Sequence, residues 1–510
     1  MFIVFEEVDR SNMEYFQIAC GIAAVVLAIY YYYKSIYNTW KSRGIPGPKP
    51  TFLLGNFVNI VIRKQSMSDK VREWYDEFKH EPVFGIFQGT SPALVINDLD
   101  MVKDVLIRDF SSFVNRGFRT FPKVEPMAQN LFTLESEKWR TMRTKLSPIF
   151  TSGKLKEMFS LIVECAENFD KHLAKTVGNG EPVEFHDLAA KFTTDVIGSC
   201  AFGINMNALK DENSEFRQMG RKISAPSVKR TLKESCKEFT PWLYERIGHL
   251  LEPKEMNDFF TNIITGSMKY RRENNVIRPD FVHLLMELQD HPDKLNNIEL
   301  TDSLLTAQAL VFFVAGFETS SSTIAHALYE LAQHQDIQDK LREEIKEVTK
   351  ENIENLTYND MKEMKYLDMV FKETLRKYPL LPMLPRQAVE NYTFRGTKLT
   401  IPKGTNVWIP VIGIQRDPNI YPEPEVFDPE RFTEEAVAAR HPMSYLPFGD
   451  GPRNCIGARF AHYQTKIGII TVISNYKVVV CEKTRIPFES NSNTFLLRSK
   501  DGVNLKIERV

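Results

Sequence analysis

Cysteine is scarce: six in 510 residues, widely scattered, which excludes a disulfide-stapled scaffold. No Cys-x-x-Cys pair and no His-Glu-x-x-His string occurs, so zinc chemistry has no obvious seat. Glycine and proline, at 24 and 27 residues, stay near ordinary usage, which excludes collagen-like and low-complexity classes. Neither sign of charge prevails: 65 Lys and Arg against 66 Asp and Glu leave a net charge of −1, and a polyelectrolyte role on nucleic acid is disfavoured. No Gly-x-Gly-x-x-Gly fingerprint follows a strand pattern, so no nucleotide or flavin is held in the chain itself. What remains is a globular protein of a reducing compartment, 43% hydrophobic and 26% charged.

One segment departs from the globular pattern. From Tyr15 to Tyr33 no residue is charged, and at 1.5 Å per residue this covers roughly the 30 Å hydrocarbon layer of a bilayer. Its closing run of tyrosines suits an interfacial belt. Glu6, Glu7, Asp9 and Glu14 precede it, while Lys34, Lys41 and Arg43 follow, which points the basic side to the cytosol. A cleaved signal peptide would need a basic leading region and a small-residue cleavage site, and neither is clear. The expected organisation is a short lumenal N-terminus (1–14), a transmembrane anchor (15–33), a basic, proline-rich hinge (34–50) and a cytosolic domain (51–510). Pro46, Pro48 and Pro50 forbid a helix in the hinge and stiffen it.

Beyond residue 50 there is no repeat and no second long apolar span. Helical periodicity covers 67–80, 136–147, 153–176, 187–200, 301–334, 336–350 and 358–378. Alternation at Phe84 to Phe87 and at Val503, Leu505 and Ile507 reads as strand. Thr301 is an N-cap for the longest helix, whose apolar run Ala309 to Phe317 is too short to cross a membrane. The sequons at Asn355 and Asn391 are chance matches on a cytosolic face.

The informative stretch runs from Pro447 to Phe460. Two glycines and a proline before Cys455 make a tight loop, and Gly457 opens a helical segment. A cysteine at the positive end of a helix favours thiolate. Gly451 and Gly457 allow backbone to approach a flat ligand closely, Phe448 can cover the sulfur, and Arg453 offers a fork of donors for a carboxylate. Read this way, Phe448-x-x-Gly451-x-Arg453-x-Cys455-x-Gly457 resembles the haem-ligand signature of the cytochrome P450 family. The remaining five cysteines read as small buried hydrophobes.

The resemblance extends to further motifs in order. Ala315-Gly316-Phe317-Glu318-Thr319-Ser320 by itself reads as a packing glycine beside polar residues. In the family it is the oxygen-activation segment, where Ala315 and Gly316 open room over the iron and Glu318 and Thr319 relay protons. Glu373 and Arg376, at i and i+3, read as a surface pair; the resemblance makes them a buried structural network completed by Arg431. Trp139 and Arg143, with Arg386 and Arg453, are implied to hold the haem propionates.

The resemblance implies a mainly α fold with small β-sheets, haem buried between a long central helix and the cysteine loop, and a single N-terminal transmembrane helix. It further implies a monooxygenase: haem b (iron protoporphyrin IX) with Cys455 as axial iron ligand, O2 as co-substrate, and electrons from NADPH-cytochrome P450 reductase, with cytochrome b5 as a second donor. The chain is most similar to insect microsomal members of the detoxifying group, on the endoplasmic reticulum membrane with its catalytic domain in the cytosol. Lys138, Arg140 and Lys145 form part of the expected docking face, or a merely solvated helix face. The loop 111–132, the segment 205–250, the helix near 308–319, residues 380–386 and the turn 492–497 are expected to line an apolar pocket, with Phe113, Phe118, Phe121, Phe312 and Phe495 in it. Lipophilic xenobiotics such as plant compounds and insecticides fit such a pocket. The alternatives are a hydroxylase of a hormone or lipid, a haem-thiolate isomerase or dehydratase, and a non-catalytic haem protein. Gln415 stands where the family commonly has histidine.

Overall fold

A computed structural model of the chain describes residues 2–177, 181–211, 214–225, 227–278, 280–291, 300–349 and 356–510. Its first element is a single helix, Phe2–Tyr37, longer than the expected anchor at both ends. From Tyr15 to Tyr32 its side chains face outward all round, with Tyr15, Ile22 and Tyr31 each more than half exposed. The stretch beginning at Tyr15 is long and apolar enough to cross a membrane. Such a surface has no internal partner and calls for an apolar one outside the chain.

The expected hinge is in fact fastened to the domain. Trp40 is buried and its indole N–H donates to the Ile86 carbonyl at 3.1 Å. Gly44 turns the chain at φ 71°, and the Gly85 N–H donates to the Pro46 carbonyl at 2.8 Å. A Cβ on Gly85 would enter the Trp40 ring, so the approach requires glycine.

That docking is onto a four-stranded sheet. Val83–Gln88 pairs antiparallel with Ser91–Ile96, which pairs parallel with Asn406–Ile409, which pairs antiparallel with Leu384–Gln387. Residues some three hundred apart in sequence thus become neighbours, and Arg386 on the last strand stands opposite Val407. A smaller sheet joins Val183–Glu184, Asn504–Arg509 and Tyr476–Val480.

Everything else is mainly helical. Asp302–Gln333 is the central helix, capped at its start by the Thr301 hydroxyl, which accepts from Leu304 N at 3.2 Å. It packs against Phe185–Ile197, Ala458–Asn475, Lys254–Glu273 and Lys365–Lys377. It is hydrophobic nearly all round and mostly buried, as a core helix should be. The helices expected near 67, 136, 153, 187 and 336 are Met67–Phe78, Ser136–Leu146, Ser152–Val177, Phe185–Ile197 and Gln335–Thr349. The stretch 358–378 is interrupted at Met364 into Asp360–Glu363 and Lys365–Lys377. Of the two sequons, Asn355 lies outside the described residues. The fold is mainly α with small β-sheets, as expected.

Candidate active site

The cysteine loop is built by backbone that only glycine tolerates. Gly449 and Gly451 take φ 67° and 71°, and a Cβ on Gly451 would collide with the Leu106 carbonyl. Cys455 N donates back to Phe448 O at 2.8 Å and Asn454 N to Gly451 O at 3.0 Å, closing the loop just before helix Ala458–Asn475. The Phe448 ring stacks on His462 and lies beside Phe371, the three rings forming one cluster. The Cys455 side chain is solvent-accessible although protein surrounds it on every side, the signature of a group on the wall of an internal cavity. Burial pushes its thiol upward, against the opposing pulls of the Gly457 N–H, Arg143 and Arg116. Burial thus works against the thiolate that a helix start favours. A coordinated metal deprotonates a thiol outright.

The central helix carries a notch. Among buried neighbours Phe313, Phe317 and Glu318, Ala315 is exposed and Thr319 half-buried. One helical turn apart, they share a face, and the Thr319 hydroxyl donates to the Ala315 carbonyl at 2.6 Å. Gly316 does a different job from the expected one. A Cβ there would lie 2.6 Å from Ile197 Cδ1, so this glycine lets helix Phe185–Ile197 approach the central helix. Its carbonyl accepts from Gln464 at 3.2 Å. Glu318 is buried and pairs with Arg498 at 2.9 Å and His186 at 3.4 Å.

The cavity edge carries a group of arginines without matching anions. Arg386 and Arg453 are almost fully buried, and Arg386 Nε and Arg453 Nε and Nη1 have no hydrogen-bond partner. Arg453 lies 4.4 Å above the Trp139 ring, and Arg116 lies 4.3 Å above Phe132 and donates to Arg453 O at 3.1 Å. Burial first, then repulsion from its neighbours Arg116 and Arg386, pushes Arg453 down to about 8. Arg386 is pushed down to about 9 and Arg116 to about 10, each by burial and a neighbouring arginine. A guanidinium keeps its proton in proteins, so these shifts express the cost of packing cations together with an anion missing. Glu135, near Arg453, is itself pushed up by burial. A ligand with two carboxylates would answer the unpartnered nitrogens, and a porphyrin carries two propionates. Among the described residues no cluster of three His, Cys, Asp or Glu could hold a metal. An iron here would therefore meet one protein sulfur and take its other ligands from a macrocycle. The residues fit haem.

Arg143, expected at the propionates, instead spends Nη1 and Nη2 on Asn454 O and Oδ1, both at 2.8 Å, holding the cysteine loop. Sequence reasoning missed Arg116, which belongs to no compact motif, and missed Arg498 and His186 for the same reason. Of the pocket aromatics, Phe118 and Phe121 sit against Phe132 and Tyr244, and Phe495 is exposed. Phe113 is corrected: fully buried, it packs on Tyr392 and Phe394 in the smaller core, away from any open space. Phe312 is likewise mostly buried, stacked on Phe150 and in tilted contact with Phe281.

Glu373 and Arg376 are fully buried and paired at 2.7 Å, with Arg431 at 3.6 Å; the surface reading fails and the buried one holds. Gln415, the departure from the family pattern, is also fully buried. It donates to Leu375 O and Arg376 O and accepts from Leu446 N at 2.8 Å, tying this network to the segment that enters the cysteine loop.

Comparison with known proteins agrees with this geometry. The cytochrome P450 family model matches residues 45–505. The chain is 42% identical over 500 residues to cytochrome P450 6a2 of Drosophila melanogaster, covering 96% of this chain and 98% of that protein. It is 40% identical over 499 residues to cytochrome P450 6A1 of Musca domestica, covering 96% and 97%. Cytochrome P450 6k1 of Blattella germanica is 37% identical over 501 residues, covering 95% of each. A glycine-built cysteine loop, a notch in the central helix and buried arginines with unpartnered nitrogens have the same explanation as these likenesses: the chain belongs to the cytochrome P450 family and is a haem-dependent monooxygenase.

Proposed function

We propose that the protein is a membrane-anchored monooxygenase of lipophilic xenobiotics, such as plant compounds and insecticides, on the cytosolic face of the endoplasmic reticulum. The observation that carries the site assignment is an accessible Cys455 in a glycine-built loop, beside buried Arg386 and Arg453 with unpartnered nitrogens. Cys455 would ligate the iron, and Arg116, Arg386 and Arg453, with Trp139 stacked beneath Arg453, would receive the propionates. Bound haem b supplies the activation of O2 that places one oxygen atom in an unreactive bond and releases the other as water.

The chain's own residues have three tasks. The Thr319 hydroxyl donates its proton to Ala315 O, so Oγ1 is left as an acceptor and must turn from that carbonyl to hand the proton on. Glu318 lies behind it, held by Arg498 and His186. Phe118, Phe121 and Phe495 give the substrate side apolar surface and help exclude water.

Electrons are assigned to NADPH-cytochrome P450 reductase, with cytochrome b5 as a second donor, at a basic face that includes exposed Lys138 and Arg140. The exposed helix from Tyr15 supports the anchor, and the xenobiotic role rests on the resemblance to insect microsomal members of the detoxifying group. The test is NADPH consumption and product formation by the full-length protein with purified reductase, on plant phenolics and insecticides against steroids. Efficient turnover of the first group supports the reading. Turnover confined to a steroid would replace it with a hormone hydroxylase, and no turnover above background with a non-catalytic haem protein.

A further inference from the structure

Where the apolar N-terminal helix meets the domain, a groove of about 700 Å3 opens, lined by the helix end, the turn after it, the proline-rich linker and the sheet edge at Gly85 and Phe87. Its shape is fixed by the contacts that fasten Trp40 to Ile86 and Pro46 to Gly85, and by the Tyr37 hydroxyl, which donates to Thr51 O at 3.0 Å. Three cations line it: Lys34, Lys41 and Lys49, all exposed. No Asp or Glu lines it, and among the described residues none of the three lysines forms an ion pair. Its remaining walls include Tyr31 and Trp40, amphipathic rings suited to a membrane interface.

Position narrows the ligand. The apolar stretch ends at Tyr33, and Lys34 and Asn38 follow within five residues, about 8 Å at 1.5 Å per residue. On the reading of Tyr15 to Tyr33 as an anchor, on which this inference rests, they fall in the polar headgroup layer, roughly 5–8 Å thick on each side. We infer that the groove binds the headgroup of an anionic phospholipid, its phosphate, with no ammonium beside it, meeting Lys34, Lys41 and Lys49. A zwitterionic headgroup would bring an ammonium for which the groove has no carboxylate. Each lysine near an anionic headgroup strengthens binding by about fivefold.

The test embeds the full-length protein in nanodiscs of mixed phosphatidylcholine and phosphatidylinositol. It is then transferred to mild detergent, and retained lipid is counted by native mass spectrometry. The expected result is phosphatidylinositol retained several-fold over its share of the mixture, and loss of that enrichment in the Lys34→Ala, Lys41→Ala, Lys49→Ala triple variant. A charge-matched control, Lys171→Ala, Lys269→Ala, Lys500→Ala, removes exposed lysines elsewhere and should keep the enrichment. Equal loss in both variants, or phosphatidylcholine retained equally well, would overturn the inference. Vesicle flotation separates the two readings: protein that does not float refutes the anchor, while protein that floats without enriching phosphatidylinositol refutes the groove alone.

Discussion

Arg498 reaches Glu318 from the far end of the chain, its Nη1 2.9 Å from Oε1. Its Nη2 lies 3.0 Å from His186 Nδ1. A ring nitrogen that accepts from an arginine carries no proton, so His186 is set as the tautomer protonated at Nε2. That nitrogen faces Glu318 Oε1 at 3.4 Å and the Ser322 hydroxyl at 3.2 Å. The acid beside Thr319 thus has two partners brought in from separate segments.

Arg498→Gln should therefore strand a buried carboxylate, at a cost of about 3–5 kcal/mol. Adding Glu318→Gln should recover much of the loss, because no charge is then left unpaired. Thermal unfolding of the two single variants and the double variant measures the coupling; additive losses would contradict a direct pairing. Coupled product formation should fall with Arg498→Gln, since Glu318 loses its orientation.

Gly316→Ala is expected to destabilise. In an exposed helix this change gains about 1 kcal/mol, but here the new methyl meets Ile197 Cδ1 at 2.6 Å. Ile197→Ala in the same chain should restore part of the stability by making room. A stabilised single variant would show that the two helices are not in contact at this point.

Two buried histidines set an acid limit. His326 is pushed down to about 3 by burial first and by the positive neighbours Arg498 and Arg416, with Tyr378 stacked on its ring. His462 is pushed down to about 4, again by burial first. In both cases the unfolded chain binds the proton more readily. The stability they protect is full above the unfolded value near 6.5 and is lost as pH falls toward 3 to 4, at up to about 1.4 kcal/mol per pH unit for each. Unfolding midpoints between pH 7 and 5 should fall less steeply in His326→Gln than in the parent. An identical slope would show that His326 does not titrate against the fold.

Thr319→Ala should keep haem and fold while uncoupling electron use from product. The ratio of NADPH consumed to product formed, measured with purified reductase, should rise. An unchanged ratio would remove Thr319 from proton delivery.

What the sequence made legible was chemistry written in short runs. The cysteine loop, the notch at Ala315 to Thr319 and the Glu373–Arg376 pair each sit within one turn or one loop, so residue type and spacing carry their geometry. Contacts assembled by the fold left no such trace. Arg116 and Arg453 come together from either side of the domain, and Arg498 meets Glu318 and His186 only because the C-terminal turn lies against two helices. Gln415 looked like a harmless turn substitution and is instead fully buried between Arg376 and Leu446. Phe113 was misplaced because an aromatic in a loop gives no period to tell which of two cores it enters. The hinge prolines revealed stiffness, but not that Trp40 pins them to the sheet.

The most direct test is the reduced carbon monoxide difference spectrum of the full-length protein and of Cys455→Ala. Thiolate-ligated haem in the parent gives a strongly red-shifted Soret band, and Cys455→Ala should lose that band altogether. A histidine-like band in the folded parent, or a thiolate band that survives Cys455→Ala, would contradict the assignment of Cys455 as the iron ligand.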